Sequence, residues 1–127
     1  MKYKEDNLQV AVAVFLDLKR VLWTHVANER KTTPRAGKRL KDKGVKSGVP
    51  DVLIFESRGG FVGLAIELKV ERDNGRKKDG TKRKPTRSRL TDNQKKWLSD
   101  LSSKRWETVV CYNLDEVIGA FEKYFNS

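Results

Sequence analysis

The decapeptide Phe61-Val-Gly-Leu-Ala-Ile-Glu-Leu-Lys-Val70 shows the alternation that is typical of a β-strand. Successive side chains of a strand point to opposite faces. One face is apolar throughout, whereas the other carries Phe61 and two small residues followed by Glu67 and Lys69. A carboxylate or an ammonium on a buried strand is costly unless it is paired. Glu67 and Lys69 are therefore the first candidates for a functional site.

A strand that precedes this one predicts a neighbour for Glu67. Residues 51–55 read Asp-Val-Leu-Ile-Phe, a composition that favours a strand, and Ser57-Arg-Gly-Gly60 favours a turn. Two strands joined by a short turn form an antiparallel hairpin, and this pairing brings Asp51 near Glu67. Two neighbouring carboxylates repel each other, and a bound divalent cation relieves that repulsion.

The rest of the chain predicts helices and strands on both sides of this hairpin. Before the hairpin we expect a helix over 5–22, a short strand over 22–26 and a basic loop over 29–48. After it we expect a helix from Thr91 to about Ser103, a strand over 107–112 and a last helix after Asn113. Thr91-Asp-Asn-Gln94 and Asn113-Leu-Asp-Glu116 both fit the capping box that begins a helix. The order α-β-β-β-α-β-α predicts an α/β fold, in which a small mixed sheet is flanked by helices.

Length and composition limit the classes of protein to which this chain can belong. Its 127 residues are enough for one domain, 1–127. One cysteine and one histidine exclude an intrachain disulfide and a metal site rich in Cys or His. The longest apolar run, Val10–Leu16, is too short to span a membrane, and the N-terminus carries no apolar signal segment. We expect a soluble, cytoplasmic protein with no membrane partner and no organic cofactor.

The net charge of +11 is concentrated in two segments, which suggests a polyanionic partner. Residues 29–48 carry a net charge of +6 and residues 72–89 a net charge of +7, so the rest of the chain is slightly acidic. Segment 71–89 has almost no apolar side chain, and we expect it to be a mobile loop. Such loops either keep a protein soluble or bind nucleic-acid phosphates, and the density of charge favours phosphates. The candidate DNA contacts in these segments are Arg30, Lys31, Lys38, Arg39, Lys77, Lys78, Lys82, Arg83 and Lys84.

The residues around the hairpin fit metal-assisted hydrolysis of a phosphodiester. The side chains of Asp51 and Glu67 and the backbone carbonyl of Leu68 are hard oxygen donors of the kind that Mg²⁺ and Mn²⁺ prefer. A metal bound there polarises the phosphate and acidifies a water, while Lys69 positions that water and neutralises developing charge. The alternative is that Glu67 and Lys69 only form a surface salt bridge, worth at most about 1 kcal/mol.

The same residues carry a resemblance to a known family of nucleases. Pro50-Asp51, followed by Glu67-Leu68-Lys69, is similar to the motif of the PD-(D/E)xK nuclease superfamily. The wider context, 44–54, 63–69 and 90–98, resembles the VRR-NUC branch, whose stand-alone members occur in phages and bacteria. The resemblance implies a restriction-endonuclease-like core and Mg²⁺- or Mn²⁺-dependent DNA cleavage. It also implies a preference for branched DNA such as the four-way Holliday junction, a role in DNA repair and a homodimer.

The resemblance assigns roles to individual residues. It places the catalytic set on Asp51, Glu67, Lys69, Gln94 and Glu5. The metal ligands are then Asp51, Glu67 and Glu5, together with the Leu68 carbonyl that the donor chemistry indicates. Gln94 has an alternative role in the capping box, and Asp6 is an alternative to Glu5, since an acidic residue also suits the start of a helix. Gln9, one turn after Glu5, either lines the same site or is an ordinary helix residue. His25 and Asn28 resemble a His-x-x-Asn stretch of phage members, which makes them candidate DNA contacts, and structural roles for both residues are the alternative.

Two other functions compete with a branched-DNA nuclease. A non-catalytic nucleic-acid-binding module would use the basic segments alone, but it would not need Glu67 and Lys69 on one face of a strand. A sequence-specific restriction-type nuclease would need a base-reading element, and the chain shows none as a separate domain. The sequence therefore favours the structure-selective nuclease.

Overall fold

The fold is a mixed sheet between helices. The computed structural model describes residues 4–27 and 33–127. Its helices are α1 (Lys4–Lys19), α2 (Pro34–Asp42), α3 (Asp92–Ser103) and α4 (Leu114–Phe125). Its strands are β1 (Trp23–His25), β2 (Val52–Ile54), β3 (Gly63–Leu68), β4 (Glu71–Arg72), β5 (Thr86–Arg87) and β6 (Trp106–Cys111).

Four of these strands form one sheet in the order β1-β2-β3-β6. β2 pairs antiparallel with β1 and with β3, which confirms the predicted hairpin, and β3 pairs parallel with β6. A parallel pair needs a crossover connection, which here contains α3. The mixed α/β sheet flanked by helices is confirmed.

The core lies on one face of the sheet, under two helices. Leu64, Ile66 and Leu68 of β3 pack there with buried apolar side chains of α1 and α4, such as Leu16 and Phe121. α3 packs against β6 on the opposite face. Because helices cover both faces, every residue of β3 is buried, including Glu67. No helix in the described part of the chain is long and apolar enough to cross a membrane.

The prediction of a basic loop over 29–48 is wrong for residues 34–42, which form α2. The Thr33 hydroxyl accepts a hydrogen bond from the Ala36 amide at 3.1 Å, and Pro34 occupies the first turn. Proline there loses no hydrogen bond and has the backbone angle that a helix needs. Thr33 and Pro34 thus mark the start of a helix, although a proline inside a segment usually indicates that a helix ends or is interrupted there.

The prediction of a loop over 71–89 is wrong for residues 71–72 and 86–87, which form β4 and β5. β4 and β5 pair antiparallel, and an isolated bridge joins Arg76 to Lys82. Polar contacts replace the missing apolar ones: the Asn74 amide donates to the Lys84 carbonyl and to the Thr86 hydroxyl, both at 2.8 Å. This basic hairpin, residues 71–87, carries all five lysines and arginines that we proposed for the second basic segment.

The end of α1 and the cap of α4 differ from the predictions in detail. α1 ends at Lys19 rather than at residue 22, because Arg20 has the left-handed backbone angle φ 58°, which ends a helix. The capping box of α3 is complete, whereas that of α4 is half formed. The Asn113 side chain accepts from the Glu116 amide, but the Glu116 carboxylate accepts from the amide of Tyr112, one residue before the cap.

Candidate active site

Asp51 and Glu67 face each other across the β2–β3 hairpin. The register pairs Val52 with Ile66, so the next pair outward is Asp51 with Glu67. Both side chains are buried, with 8% and 2% of their surfaces exposed, and Lys69 is buried to the same degree as Asp51. The structure thus brings together the two carboxylates and the ammonium that the strand pattern singled out.

The backbone and the side chain of Asp51 are both held in place. Its Oδ2 atom accepts a hydrogen bond from the Leu68 amide at 2.7 Å, which ties the carboxylate to β3. Its carbonyl accepts from the Val26 amide at 2.8 Å and lies 2.8 Å from Nδ1 of His25. Because β1 and β3 both hold this residue, its carboxylate has a defined position before any ligand arrives.

The pKa of Glu67 is raised from 4.5 to about 9, first by burial and then by charge repulsion from Asp51 and a hydrogen bond shared with it. The Lys69 ammonium opposes this shift, and the more distant Glu5 adds to it. In the metal-free domain Glu67 therefore keeps its proton at neutral pH, as expected for a carboxyl group in a poorly solvated site.

Gln94 connects α3 to this pair. Its Oε1 atom accepts from the Thr91 amide at 2.9 Å and completes the capping box, while its Nε2 atom donates to Oε2 of Glu67 at 3.2 Å. The two roles that we weighed for Gln94 are thus compatible, because the two ends of one amide serve them separately.

Comparison with known proteins identifies the family. A family model described as VRR-NUC domain matches residues 3–113, which is most of the chain. The chain belongs to the VRR-NUC family. A solved structure described as a VRR_NUC domain protein is 27% identical, with a TM-score of 0.65 over 96% of this chain and 88% of its own. No curated protein matches the chain. The VRR-NUC domain is a nuclease domain, so this protein belongs among the nucleases.

Nuclease domains of this kind generally use divalent metals, and the site of this VRR-NUC domain fits such an ion. Oε1 of Glu67 is buried and has no hydrogen-bond partner among residues 4–27 and 33–127, which is costly unless something else satisfies it. Asp51 supplies a second carboxylate beside it, and carboxylate oxygens are the donors that Mg²⁺ and Mn²⁺ prefer. Within residues 4–27 and 33–127, no three His, Cys, Asp or Glu side chains are close enough to hold one ion together. The carboxylates that the described residues offer to such an ion are those of Asp51 and Glu67.

The N-terminal end of α1 lies near this pair. Glu5 is half-buried, and its charge contributes to the raised pKa of Glu67. Glu5 therefore stays a proposed ligand, whereas its alternative, Asp6, is exposed. One turn further on, both polar atoms of the Gln9 side chain are buried and have no hydrogen-bond partner in the part of the chain that the structure describes. The interpretation of Gln9 as an ordinary helix residue does not account for a buried, unpaired amide.

The predicted DNA contacts lie at separate places around the VRR-NUC domain. His25 is exposed beside Asp51, and Lys38 and Arg39 are exposed on α2. The exposed cations of the basic hairpin are Lys77, Lys78, Lys82, Arg83 and Lys84. Asn28, Arg30 and Lys31 lie outside the described residues.

A contact between the loop after α2 and α3 was not predicted from the sequence. The Asn93 side chain donates to the Ser47 hydroxyl at 2.6 Å, and a Cβ atom on Gly48 would lie 2.6 Å from the backbone carbon of Asn93. The only signal in the sequence was the glycine itself. Gly48 has φ 88°, so both its backbone and its surroundings require glycine.

Replacing Glu67 by Gln should remove a pH dependence of stability from the metal-free domain. Between pH 4.5 and about 9, native Glu67 holds its proton, whereas unfolded Glu67 has lost it. The native state then binds more protons, so stability falls as the pH rises through this range. Glu67→Gln mimics the protonated form and should show a flatter profile of melting temperature against pH in a chelating buffer. Glu122→Gln, at an exposed carboxylate of α4, is the control and should follow the wild type. Coincident profiles for Glu67→Gln and the wild type would contradict the assignment.

Proposed function

We propose that this VRR-NUC domain is a divalent-metal-dependent DNA endonuclease that hydrolyses phosphodiester bonds, with a preference for branched DNA such as four-way junctions. The observation that carries the proposal is the buried cluster of Asp51, Glu67 and Lys69, with Gln94 bound to Glu67. A non-catalytic binding module has no need to bury two carboxylates and an ammonium together, because burial of such groups destabilises the fold unless they are compensated.

Each residue of the cluster has a distinct task in the proposed reaction. Mg²⁺ or Mn²⁺, when bound by Asp51 and Glu67, supplies polarisation of the phosphate and a more acidic water. Gln94 holds one oxygen of Glu67 and leaves the other, Oε1, for the site. Lys69 places a buried positive charge beside the carboxylates, where it orients the attacking water and offsets the negative charge that develops on the phosphate.

Two exposed basic surfaces supply the affinity for DNA. α2 presents lysines and arginines to solvent and has no buried residue. The loop that follows it contacts the start of α3 through Ser47 and Asn93, next to Gln94. DNA bound by α2 would therefore lie close to the Asp51–Glu67 pair. The basic hairpin follows directly after Lys69 in the chain and provides the second surface.

The finer parts of the proposal rest on the family resemblance of the sequence motifs. These are the choice of branched over linear DNA, a role in DNA repair, a homodimer that cuts two strands in a coordinated way, and action in a bacterial cytoplasm or in a phage-infected cell. A junction has twofold symmetry, so two active sites related by a twofold axis would nick it symmetrically.

A cleavage assay on linear duplex, flapped DNA and a four-way junction tests the function. Each substrate is incubated with Mg²⁺, with Mn²⁺ and with a chelator, and unrelated base sequences with the same branch geometry are compared. We expect metal-dependent nicks that are fastest on the junction and independent of base sequence. Binding without cleavage under either metal would favour the non-catalytic module. Equal rates on linear duplex would remove the preference for branches, and cleavage at one base sequence only would indicate a restriction-type enzyme.

Replacing five cations of the basic hairpin should weaken the binding of all DNA sequences alike. The variant carries Ala at Lys77, Lys78, Lys82, Arg83 and Lys84. Each lost phosphate contact should flatten the slope of log affinity against log salt concentration by about 0.9, because fewer counterions are released. Titrations of fluorescent DNA at several salt concentrations, with Ca²⁺ in place of the reactive metals, measure this slope. Lys104→Ala with Lys123→Ala is the control at exposed positions elsewhere. A slope equal to that of the wild type would show that the hairpin does not contact phosphates.

A further inference from the structure

The basic hairpin stands out from the body of the VRR-NUC domain. Residues 75–87 are all exposed. Hydrogen bonds nevertheless order the segment from base to tip, and β4 pairs with β5 at its base. Further out, the Arg83 amide donates to the Gly75 carbonyl at 2.9 Å. Near the tip, the Lys77 amide donates to the Thr81 carbonyl at 2.8 Å. The hairpin is therefore a two-stranded ribbon that is formed before any partner binds.

The composition of the hairpin limits the partners that it can bind. Eight of its seventeen residues are lysine or arginine, and apart from Pro85 none has an apolar side chain. Without apolar side chains the hairpin has little to bury against another protein. Without aromatic rings it offers no surface on which the bases of a single strand stack. A ribbon of this composition instead suits the phosphates of a nucleic-acid duplex.

The acidic residues of the hairpin are used within the hairpin itself. Asp73 Oδ1 accepts from a backbone amide two residues further on, at 2.8 Å. Asp79 Oδ1 accepts from the amide and the hydroxyl of Thr81, at 3.0 and 2.6 Å, and so shapes the turn at the tip. Glu71 lies 3.4 Å from Arg87 at the base. The hairpin therefore offers mainly positive charge to a ligand.

Arg87 fastens the base of the hairpin to the body of the domain. Its guanidinium lies over the Tyr112 ring, 4.3 Å from the centroid, where a cation is attracted by the face of the ring. The same guanidinium lies 3.4 Å from the carboxylate of Glu71 and 3.6 Å from that of Glu116. Tyr112 directly follows β6, and Glu116 belongs to α4. One side chain thus joins the hairpin to two elements of the body.

Both strands of the hairpin lead directly into the candidate active site. β4 begins two residues after Lys69, and β5 ends four residues before Thr91, which caps the helix that carries Gln94. Between them, the Ser88 amide donates to the Val70 carbonyl at 3.1 Å, and the Ser88 hydroxyl accepts from the Val70 amide at 3.2 Å. A ligand that binds the hairpin is therefore placed relative to the site through both strands.

We propose that the basic hairpin lies in the major groove of a double-helical segment beside the bond that is cut, and that Arg87 is the positioning residue that fixes its angle to the Asp51–Glu67 pair. A two-stranded ribbon fits the major groove, which is about 12 Å wide, but not the minor groove, which is about 6 Å wide. Cations on both strands then reach phosphates on both walls of the groove, and this contact carries no base sequence. The inference deepens the proposed function and rests on it for the reaction, and it assigns duplex rather than single-stranded DNA to this surface.

Methylation protection tests the groove without cleavage. Dimethyl sulfate methylates guanine N7 in the major groove and adenine N3 in the minor groove, so one reagent reports on both grooves. On duplex DNA saturated with protein in Ca²⁺, the wild type should protect guanine N7 over part of one helical turn. A variant in which Asn-Gly replaces residues 73–85 joins the paired Arg72 and Thr86 by a two-residue turn and should lose this protection. Circular dichroism checks that it is folded. Protection of adenine N3 alone, or unchanged protection of guanine N7 in the shortened variant, would overturn the proposal.

Arg87→Lys tests the positioning role. Lysine keeps the charge, but it has no planar group that can stack on Tyr112 and contact both carboxylates. The slope of log affinity against log salt concentration should therefore equal that of the wild type. The cleavage rate at saturating enzyme should fall about 10-fold, and the cuts should spread over neighbouring bonds. Lys96→Arg, at an exposed cation that pairs with Asp100 on α3, is the control and should match the wild type in rate and cut position. A wild-type rate and cut position in Arg87→Lys would overturn the positioning role.

These outcomes are distinct from a failure of the nuclease. A protein that cuts DNA without protecting guanine N7 keeps the nuclease and loses the groove contact. A protein that protects guanine N7 and never cuts keeps the groove contact and loses the nuclease. In that case the protected stretch reports on Arg87, and it should be longer and weaker in Arg87→Lys than in the wild type. An identical stretch in both would overturn the positioning role.

Discussion

Substitution of Lys69 by Met, or of Asp51 by Asn, is expected to lower the rate of DNA cleavage by at least about 10²-fold and to leave DNA affinity nearly unchanged. Lys69→Met keeps the buried stem and removes the charge. Asp51→Asn keeps an oxygen that can accept the hydrogen bond of the Leu68 amide. Affinity comes mainly from the exposed cations that contact phosphates, so it should persist.

Single-turnover cleavage with Mg²⁺ and binding titrations with Ca²⁺ separate these two effects. Lys77→Met is the matched control, because it removes an exposed lysine of the basic hairpin from outside the carboxylate cluster. It should lower affinity slightly and leave the rate at saturating enzyme unchanged. Near-normal turnover in Lys69→Met or Asp51→Asn would remove that residue from the mechanism, and loss of binding together with cleavage would indicate a folding defect.

Gly48→Ala is expected to damage the site although Gly48 carries no side chain. The added Cβ atom would lie 2.6 Å from the backbone carbon of Asn93 and 2.8 Å from the backbone nitrogen of Gln94. Backbone atoms cannot move aside cheaply, so the start of α3 must shift and the hydrogen bond from Gln94 to Glu67 should lengthen or break. We expect a loss of stability of about 1–3 kcal/mol and a fall in the cleavage rate of about 10²-fold.

Gly44→Ala is the matched control for backbone strain. Gly44 lies in the same loop with φ 102°, but a Cβ atom there would have no neighbour within 4 Å among the described residues. It should cost stability through its left-handed backbone and leave the cleavage rate of the folded enzyme close to that of the wild type. Thermal unfolding and single-turnover rates of both variants measure the difference. Equal rates for Gly48→Ala and Gly44→Ala would show that the contact with α3 does not position Gln94.

The core of the candidate site could be predicted from the sequence because it depends on local geometry. Strand alternation places Glu67 and Lys69 on one side of β3, and a short turn leaves few registers in which Asp51 can pair. The capping box of α3 likewise depends on residues three apart. The raised pKa of Glu67 could not be predicted in the same way, because it depends on helices that cover the sheet from distant parts of the chain.

The two basic segments show the opposite case, in which composition was informative and local structure was misread. Their charge is evident from the sequence, and it remains exposed in the structure. The helix over 34–42 was missed because Pro34 and Gly37 favour a loop. The signal for a helix was Thr33, which caps its first turn. The hairpin over 71–87 was missed because its contacts are polar, whereas hydrophobic periodicity detects elements that pack on a core.

The sequence by itself determined the family, the mixed α/β class, the strand that carries Glu67 and Lys69, and the charge available to bind a polyanion. These depend on residue types and short spacings. Only the tertiary structure decided which groups are buried together, that Gln94 serves both its cap and Glu67, and that Gly48 touches α3, 45 residues further along the chain. It also decided that Arg87 fastens the basic hairpin to Tyr112 and Glu116. The reason is that burial is a property of neighbours in space, and residues far apart in the chain become neighbours only when it folds.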